Sequence, residues 1–323
     1  MYLITGCAGF IGFHMTKLLL KKKINVVGID SLNSYYAKGL KLERLKILKK
    51  YKYFSFFKLD IANKKKLNKI LKNLNNFKVI HIAAQPGVIY SFKNPDSYYK
   101  NNVLATDNLL KSIINKNISQ FIFVSSSSVY GNQKKFPIKE NSKLKSINYY
   151  ANTKIKCENL VLKYLSKKNI STKIVRPFTV YGPYGRPDML IIKFLNYFRN
   201  NKAINIYNFG NHMRDFTYVK DVVKIIYQLS NKKNSKIKIF NICASKPVKI
   251  NKILDYFEKL LDKKINFKRK PKRKGEMEIT YGSNTNLKKF VKINNFTNIY
   301  FGLKKTIEWY NEFPKKNLFN LHK

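Results

Sequence analysis

Acidic residues are scarce in this chain: 17 Asp and Glu stand against 65 Lys and Arg among 323 residues, a formal charge of +48. Taken alone, that excess points to a polyanion such as nucleic acid or an anionic membrane. The distribution argues otherwise. The lysines are spread along every segment, and arginine, the better reader of phosphates and bases, is sparse. Lys, Asn, Ile, Phe and Tyr are abundant together, as in the product of an AT-rich genome. No specific nucleic-acid partner is therefore expected. Cysteine is also scarce. Cys7, Cys157 and Cys243 lie far apart, which excludes a disulfide framework and zinc-ligand spacing. His14, His81, His212 and His322 show no metal spacing either, so no metal is expected, and His81, near the end of an apolar run, reads as a satisfied core group. No apolar run is long enough to span a bilayer, and the chain opens on an apolar strand rather than a leader. A cytoplasmic protein without membrane insertion is the expectation.

What is present is a globular core, with 44% hydrophobic residues, arranged in alternating strand and helix patterns. Apolar runs at residues 2–5, 24–29, 53–59, 79–82, 121–125 and 172–175 read as strands. Residues 10–22, 102–114 and 150–165 carry apolar positions at helical spacing. This alternation predicts an α/β fold, a Rossmann-like doubly wound parallel sheet. After Arg176 the pattern changes. Pro177, Gly182, Pro183, Gly185 and Pro187 punctuate one loop. Helices are expected at 188–200, 218–229, 251–261 and 302–313, and a strand at 237–242. Residues 1–178 read as a dinucleotide-binding domain. Residues 179–323 read as a smaller C-terminal substrate-binding α/β lobe, with some segments packing back on the first domain.

Gly6, Gly9 and Gly12 directly follow the first strand and open the first helix. Glycines there let the backbone approach a pyrophosphate, which sits on the helix N-terminus. Asp30 ends the second strand, where a carboxylate accepts hydrogen bonds from both adenosine ribose hydroxyls and repels a 2′-phosphate; NAD is favoured over NADP. Asp60-Ile61, after the third strand, reads equally as a helix cap or as a partner of the adenine amino group. Ser125-Ser126-Ser127-Ser128 closes the fifth apolar run, and Tyr150 and Lys154 follow, four apart and on one helix face. An ammonium beside a phenol favours the phenolate, the base needed to take a proton from an alcohol beside a bound nicotinamide. A Tyr-x-x-x-Lys spacing alone is as readily a surface pair in a chain rich in both; the upstream serine and the glycine turn make it a site.

Together these residues resemble the extended short-chain dehydrogenase/reductase superfamily, and within it the UDP-glucuronate 4-epimerase family. The matching blocks are residues 5–12, 30–36, 83–88, 90–95, 125–131, 150–154, 179–189 and 214–218, so the resemblance runs over nearly the whole chain. Its most specific block is Thr179-Val180-Tyr181-Gly182-Pro183-Tyr184-Gly185-Arg186-Pro187-Asp188-Met189. The resemblance implies that Phe10 and Ile11 offer backbone donors to the pyrophosphate. It places Asp30, Asn33, Asp60, Ile61 and Asn102 around the adenosine, and Ala83, Ala84, Gln85 and Phe178 along the cofactor path. Ser126 would bond the sugar 4-hydroxyl, Tyr150 act as base and Lys154 also hold the nicotinamide ribose. Arg214 and Arg273 would bind the UDP diphosphate, Glu276 the uridine ribose, and Thr179 and Arg186 the sugar carboxylate. Pro86, Ile89 and Glu276 depart from the family pattern, which usually carries a small residue, a basic residue and Asp there.

The implied reaction is oxidation at C4 by NAD, rotation of the 4-keto sugar, and return of the hydride to its other face. The partners implied are a UDP-sugar and a second copy of the chain, in a homodimer through the helices at 102–114 and 150–165. The alternatives are a UDP-glucose or UDP-N-acetylhexosamine 4-epimerase, a decarboxylase giving UDP-xylose, or, in another class, a non-catalytic dinucleotide-binding scaffold or polyanion-binding protein. A 4,6-dehydratase is disfavoured because Ser127-Ser128 stand where those enzymes carry an acidic pair.

Overall fold

The structure, a computed structural model, describes residues 1–293 and 295–319; His322 lies outside them. Seven parallel strands form its centre: β1 (Tyr2–Thr5), β2 (Val26–Asp30), β3 (Phe54–Lys58), β4 (Phe77–His81), β5 (Ile118–Val124), β6 (Ser171–Pro177) and, after three strands of a second layer, β10 (Lys238–Ile242). Their order is β10-β6-β5-β4-β1-β2-β3. β1, β2 and β6 are buried at every position, as expected of strands covered on both faces. The helices Phe10–Lys21 and Val219–Leu229 cover one face through Phe13, Leu19, Val222 and Ile226. Ala105–Ile113 and Tyr149–Leu165 cover the other through Leu109, Ile113 and Val161. The chain winds outward from β1 to β3, then crosses to β4 and winds the other way. A crevice therefore opens at the carboxyl ends of β1 and β4, the usual place for a ligand in an open α/β sheet.

The second layer contains β7 (Thr179–Tyr181), β8 (Ile204–Tyr207), β9 (Met213–Tyr218), β11 (Pro247–Lys249), β12 (Phe267–Lys270) and β13 (Ile279–Thr280). β9 pairs with β7, β11 and β13, and β8 pairs with β12. The strand expected at 237–242 forms as β10 and joins β6 at the edge of the large sheet. The helix expected at 102–114 differs in detail. A π-helical turn, Tyr99–Leu104, precedes the α-helix Ala105–Ile113, and Asn102 lies within it.

His81 is buried between Thr5 Oγ1 and Thr106 Oγ1, 2.6 and 2.9 Å from its two ring nitrogens. Burial lowers its pKa to about 3, so it is a neutral, satisfied core group. Asp215 on β9 behaves differently. It is fully buried, Oδ2 accepts from Gly282 N at 3.2 Å and Oδ1 has no partner. Burial pushes its carboxyl up to about 7 against the pull of nearby backbone N–H groups. Between the unfolded carboxyl pKa and that value the folded state binds the extra proton, so stability falls as pH rises through this window. We expect wild-type stability to drop by on the order of a few kcal/mol from about pH 5 to about pH 8. Asp215→Asn should flatten that slope in denaturant titrations, and an unchanged slope would refute the assignment.

Candidate active site

The glycine turn shows why its residues are glycine. Gly6 adopts φ +74°, and a Cβ there would lie 2.8 Å from Ala83 N at the end of β4. A Cβ on Gly12 would lie 1.9 Å from Gly6 O. The turn is thus pressed against both its own helix and β4, where a bulkier backbone has no room. Gly9 is the N-cap of Phe10–Lys21 and no side chain caps that end. The first-turn amides, those of Phe10 and Ile11 among them, are left for an anion. This cradle fits the pyrophosphate of a dinucleotide. Phe10 itself points into the core, so its contribution is main-chain.

Asp30, at the carboxyl end of β2, is fixed by two backbone donors: Ala8 N to Oδ2 at 3.0 Å and Leu32 N to Oδ1 at 2.8 Å. Each oxygen keeps a lone pair for a ribose hydroxyl. Asp60 is not the cap of the next helix. Asn63 caps Lys64–Lys72 by accepting from Lys66 N, while Asp60 Oδ1 accepts from Ala62 N at 2.9 Å. Oδ2 lies 3.8 Å from Lys100 Nζ and is partly exposed. Ile61 and Phe178 are placed differently from the rest. Ile61 packs in the core under β2, and the Phe178 ring is buried with Val129, Tyr130, Ile138 and Cys243. Only their main chains are available to a ligand. Asn102 is likewise a brace rather than a ligand contact. Its Oδ1 accepts from Gln85 N at 2.6 Å and its Nδ2 donates to Gln85 O and Thr153 Oγ1, at 3.2 and 2.9 Å. Asn102 thereby pins the loop Ala83-Ala84-Gln85 to the helix that carries Tyr150. Asn33 Nδ2 reaches Gln85 Oε1 at 3.4 Å.

Ser126 is the one residue from Phe121 to Tyr130 that is not buried. Its Oγ accepts from Ser128 N at 3.2 Å and lies 2.9 Å from Ser128 Oγ. Asn148 caps Tyr149–Leu165 by accepting from Ala151 N at 2.8 Å, which places Tyr150 in the first turn. Lys154 is buried; its Nζ donates to Val124 O at 2.7 Å, at the carboxyl end of β5, and lies 4.3 Å from the Phe123 ring centroid. The three residues therefore meet at the crevice end of the sheet. One expectation changes. Burial raises the Tyr150 pKa above its ordinary value, although a hydrogen bond with Ser126 and the charge of Arg186 pull it down. Burial also lowers Lys154 to about 8, against the opposing pull of Cys157 and Glu158. The protein alone does not hold the phenol near neutrality, because desolvation outweighs the charges around it.

Beneath these residues lies a buried ion pair. Arg176 on β6 forks onto Glu158, with Nε to Oε1 at 3.0 Å and Nη2 to Oε2 at 2.6 Å. Ser125 Oγ donates to Glu158 Oε1 at 2.5 Å, and Arg176 also reaches Tyr130 OH and Glu140 O, at 2.9 and 3.0 Å. The pair joins the Tyr150 helix to β5 and β6. Glu158→Ala leaves a buried guanidinium without its countercharge and should cost about 3–5 kcal/mol in denaturant unfolding. A loss below about 1 kcal/mol would show that the pair does not fasten this helix.

On the far side of the crevice, Arg186 does not stand free. Its Nε and Nη2 donate to Asp188 Oδ1 and Oδ2 at 2.9 and 2.6 Å, and Tyr35 OH donates to Asp188 Oδ2 at 3.2 Å. Despite the cost of burial, each partner holds the other's charged form: Arg186 is raised and Asp188 lowered from their ordinary values. Thr179 is half-buried at the start of β7. Farther along, Arg214 Nη1 donates to Met213 O and Glu278 O at 2.9 and 3.0 Å, and burial lowers its pKa to about 10 against the pull of Glu276. The Arg273 guanidinium lies 3.8 Å from the Tyr207 ring centroid and bonds Glu276. Its Nε is buried without a partner. Arg214, Arg273 and Glu276 thus form one cluster, with Tyr207 as an aromatic floor. Neither Tyr207 nor the buried Lys41, whose Nζ holds Asn33 O and Oδ1 at 2.9 and 2.6 Å, carries a sequence signal of its own. Lysines are too common along this chain for one to stand out. No group of His, Cys, Asp and Glu that could hold a metal occurs among the described residues, nor does any helix long and apolar enough to cross a membrane.

Sheet order, glycine cradle and Ser-Tyr-Lys set define a dinucleotide-dependent enzyme acting on a secondary alcohol. The chain belongs to the NAD dependent epimerase/dehydratase family, whose model matches residues 2–243. UDP-glucuronate 4-epimerase of Thermodesulfobacterium geofontis is 36% identical over 313 residues, 96% of each chain. The solved structure of UDP-glucuronic acid 4-epimerase from Bacillus cereus, in complex with UDP-glucuronic acid and NAD, is similar at TM-score 0.90 and 30% identity, over 95% of this chain and 98% of that one. UDP-N-acetylglucosamine 4-epimerase from Methanobrevibacter ruminantium, in complex with UDP-N-acetylmuramic acid, gives TM-score 0.87 and 28% identity over 96% and 97%. Within the family the chain falls in the UDP-glucuronate 4-epimerase branch of the NAD-dependent nucleotide-sugar epimerases.

Proposed function

We propose that this protein interconverts UDP-glucuronate and UDP-galacturonate. The observation that carries the sugar assignment is Arg186. Its guanidinium is already forked onto a carboxylate and lies close enough to Tyr150 to shift the phenol's titration. A uronate carboxylate entering the crevice would take the guanidinium N–H groups that Asp188 does not engage, or displace Asp188 from the fork. Without such a partner the carboxylate would be costly to bury. NAD, when bound, supplies the oxidising power at C4 and gives the hydride back. Tyr150 takes the proton from the 4-hydroxyl and later returns it. Ser126 orients the same oxygen and relays the proton. Lys154, anchored on Val124 O, keeps the helix turn bearing Tyr150 against the end of β5. Thr179 and Arg186 hold the carboxylate out of line with the C4 carbonyl π system, which slows loss of carbon dioxide from the β-keto acid. Arg214 and Arg273 take the diphosphate, and Glu276 the uridine ribose.

The test is purified protein incubated with UDP-glucuronate, with products separated by chromatography and weighed. An isomer of unchanged mass supports the reading; no product, or UDP-xylose alone, refutes it. A second reading, a UDP-N-acetylhexosamine 4-epimerase, draws support from the fold likeness to the Methanobrevibacter ruminantium enzyme. Faster turnover of UDP-N-acetylglucosamine than of UDP-glucuronate would favour it.

A further inference from the structure

Arg44 lies on the helix Lys38–Lys49, is fully buried, and forms no ion pair among the described residues. Its guanidinium instead spans two parts of the site. Nη1 donates to Ala8 O at 2.9 Å, inside the glycine turn, and to Tyr36 OH at 2.7 Å. Nη2 donates to Tyr184 O at 2.7 Å and reaches Gly185 O at 3.5 Å. These last two carbonyls belong to the loop that carries Arg186. Tyr184 holds φ +57°, a left-handed conformation unfavourable for a tyrosine. Its carbonyl is turned to Arg44, and its ring packs 4.7 Å from Phe13 on the helix that the glycine turn opens. His14 on that same helix lies 2.8 Å from Pro183 O.

A buried cation with carbonyl partners on two separate ligand-facing segments is a costly arrangement. It transmits position well, because a planar guanidinium cannot rotate to satisfy one side without leaving the other. A dinucleotide seated on the turn fixes the Ala8 peptide, and through Arg44 the carbonyls of Tyr184 and Gly185. A sugar held by Arg186 fixes the same loop from the other end. We infer that Arg44 is a positioning residue that couples the cofactor turn to the sugar-facing loop, so that each ligand tightens the other. This rests on the proposed reading that residues 183–188 face the sugar.

The experiment measures NAD affinity by calorimetry, with and without saturating UDP-glucuronate, in the full chain carrying Tyr150→Phe so that no turnover occurs. UDP-glucuronate should tighten NAD at least about 5-fold in this parent, the range of ordinary site-to-site coupling. Adding Arg44→Lys, which cannot span both segments, should bring the factor below about 2-fold. Tyr36→Phe frees one edge of the guanidinium while keeping its charge, and should lower the factor to an intermediate value. It and the parent decide the matter if Arg44→Lys does not fold. A parent without coupling, or variants that keep the parent's factor, overturns the inference; an Arg44 that only stabilises the fold would lower the melting temperature and leave the factor alone. Turnover of UDP-glucuronate by the unsubstituted chain tests the functional reading separately. With turnover present, equal factors reject Arg44 alone; with none, the inference falls with the reading.

Discussion

Tyr150→Phe is expected to lower turnover of the UDP-sugar by about 10²–10⁴-fold, the usual worth of a positioned general base, while the protein keeps its bound NAD and its melting temperature. The phenol hydroxyl is the only atom removed, and the Tyr150 ring still packs at 6.2 Å, edge-on, against Tyr98. The effect should therefore fall on kcat and not on folding. The titration of Tyr150 adds a second readout. Burial holds the phenol above its ordinary value while Ser126 and Arg186 draw it down, so kcat/KM should rise with pH as the phenolate fraction grows. Ser126→Ala removes one downward influence and should move that rise to higher pH. Turnover of Tyr150→Phe within a few-fold of wild type, or a Ser126→Ala profile displaced toward acid, would sink the base assignment.

Arg186→Ala is expected to reduce kcat/KM for UDP-glucuronate by roughly 10²-fold or more, the cost of truncating one side of a buried charge pair. Two effects act in the same direction. The uronate would lose its cationic partner, and Asp188 would keep Tyr35 OH as its side-chain donor among the described residues, so its negative charge would face that of the substrate. UDP-glucose, which carries no carboxylate, should lose far less. Among the products, UDP-xylose should increase, because the carboxyl is no longer held away from the reactive alignment. Equal losses on both substrates would place Arg186 in loop packing instead of carboxylate recognition.

Much of the fold was legible because parallel strands covered on both faces must be apolar throughout. The expected runs at 2–5, 24–29 and 172–175 appear as β1, β2 and β6. The convergence of Ser126, Tyr150 and Lys154 was legible because the proposed chemistry demands particular residue types at short spacing. Gly6 and Gly12 are forced by contacts under 3 Å, and Tyr150 and Lys154 by one helical turn. The π-helical turn at Tyr99–Leu104 was not legible, since Asn102 is recruited there by Gln85 and Thr153, distant in sequence. The pairing of Arg186 with Asp188 was hidden differently. The two residues flank Pro187 in the motif, but only the backbone path decides whether the fork closes on Asp188 or stays open.

By itself, then, the sequence determined the alternation of strands and helices, the glycine turn and the serine, tyrosine and lysine that meet at the crevice, because these depend on local pattern and intrinsic chemistry. Only the tertiary structure decided how strongly Tyr150 holds its proton and which of many lysines and arginines are buried at the site. Desolvation is a sum over neighbours brought from across the chain, and Arg44, joined to partners 36 and 140 residues away, has no signature that a linear reading can separate from a strongly basic background.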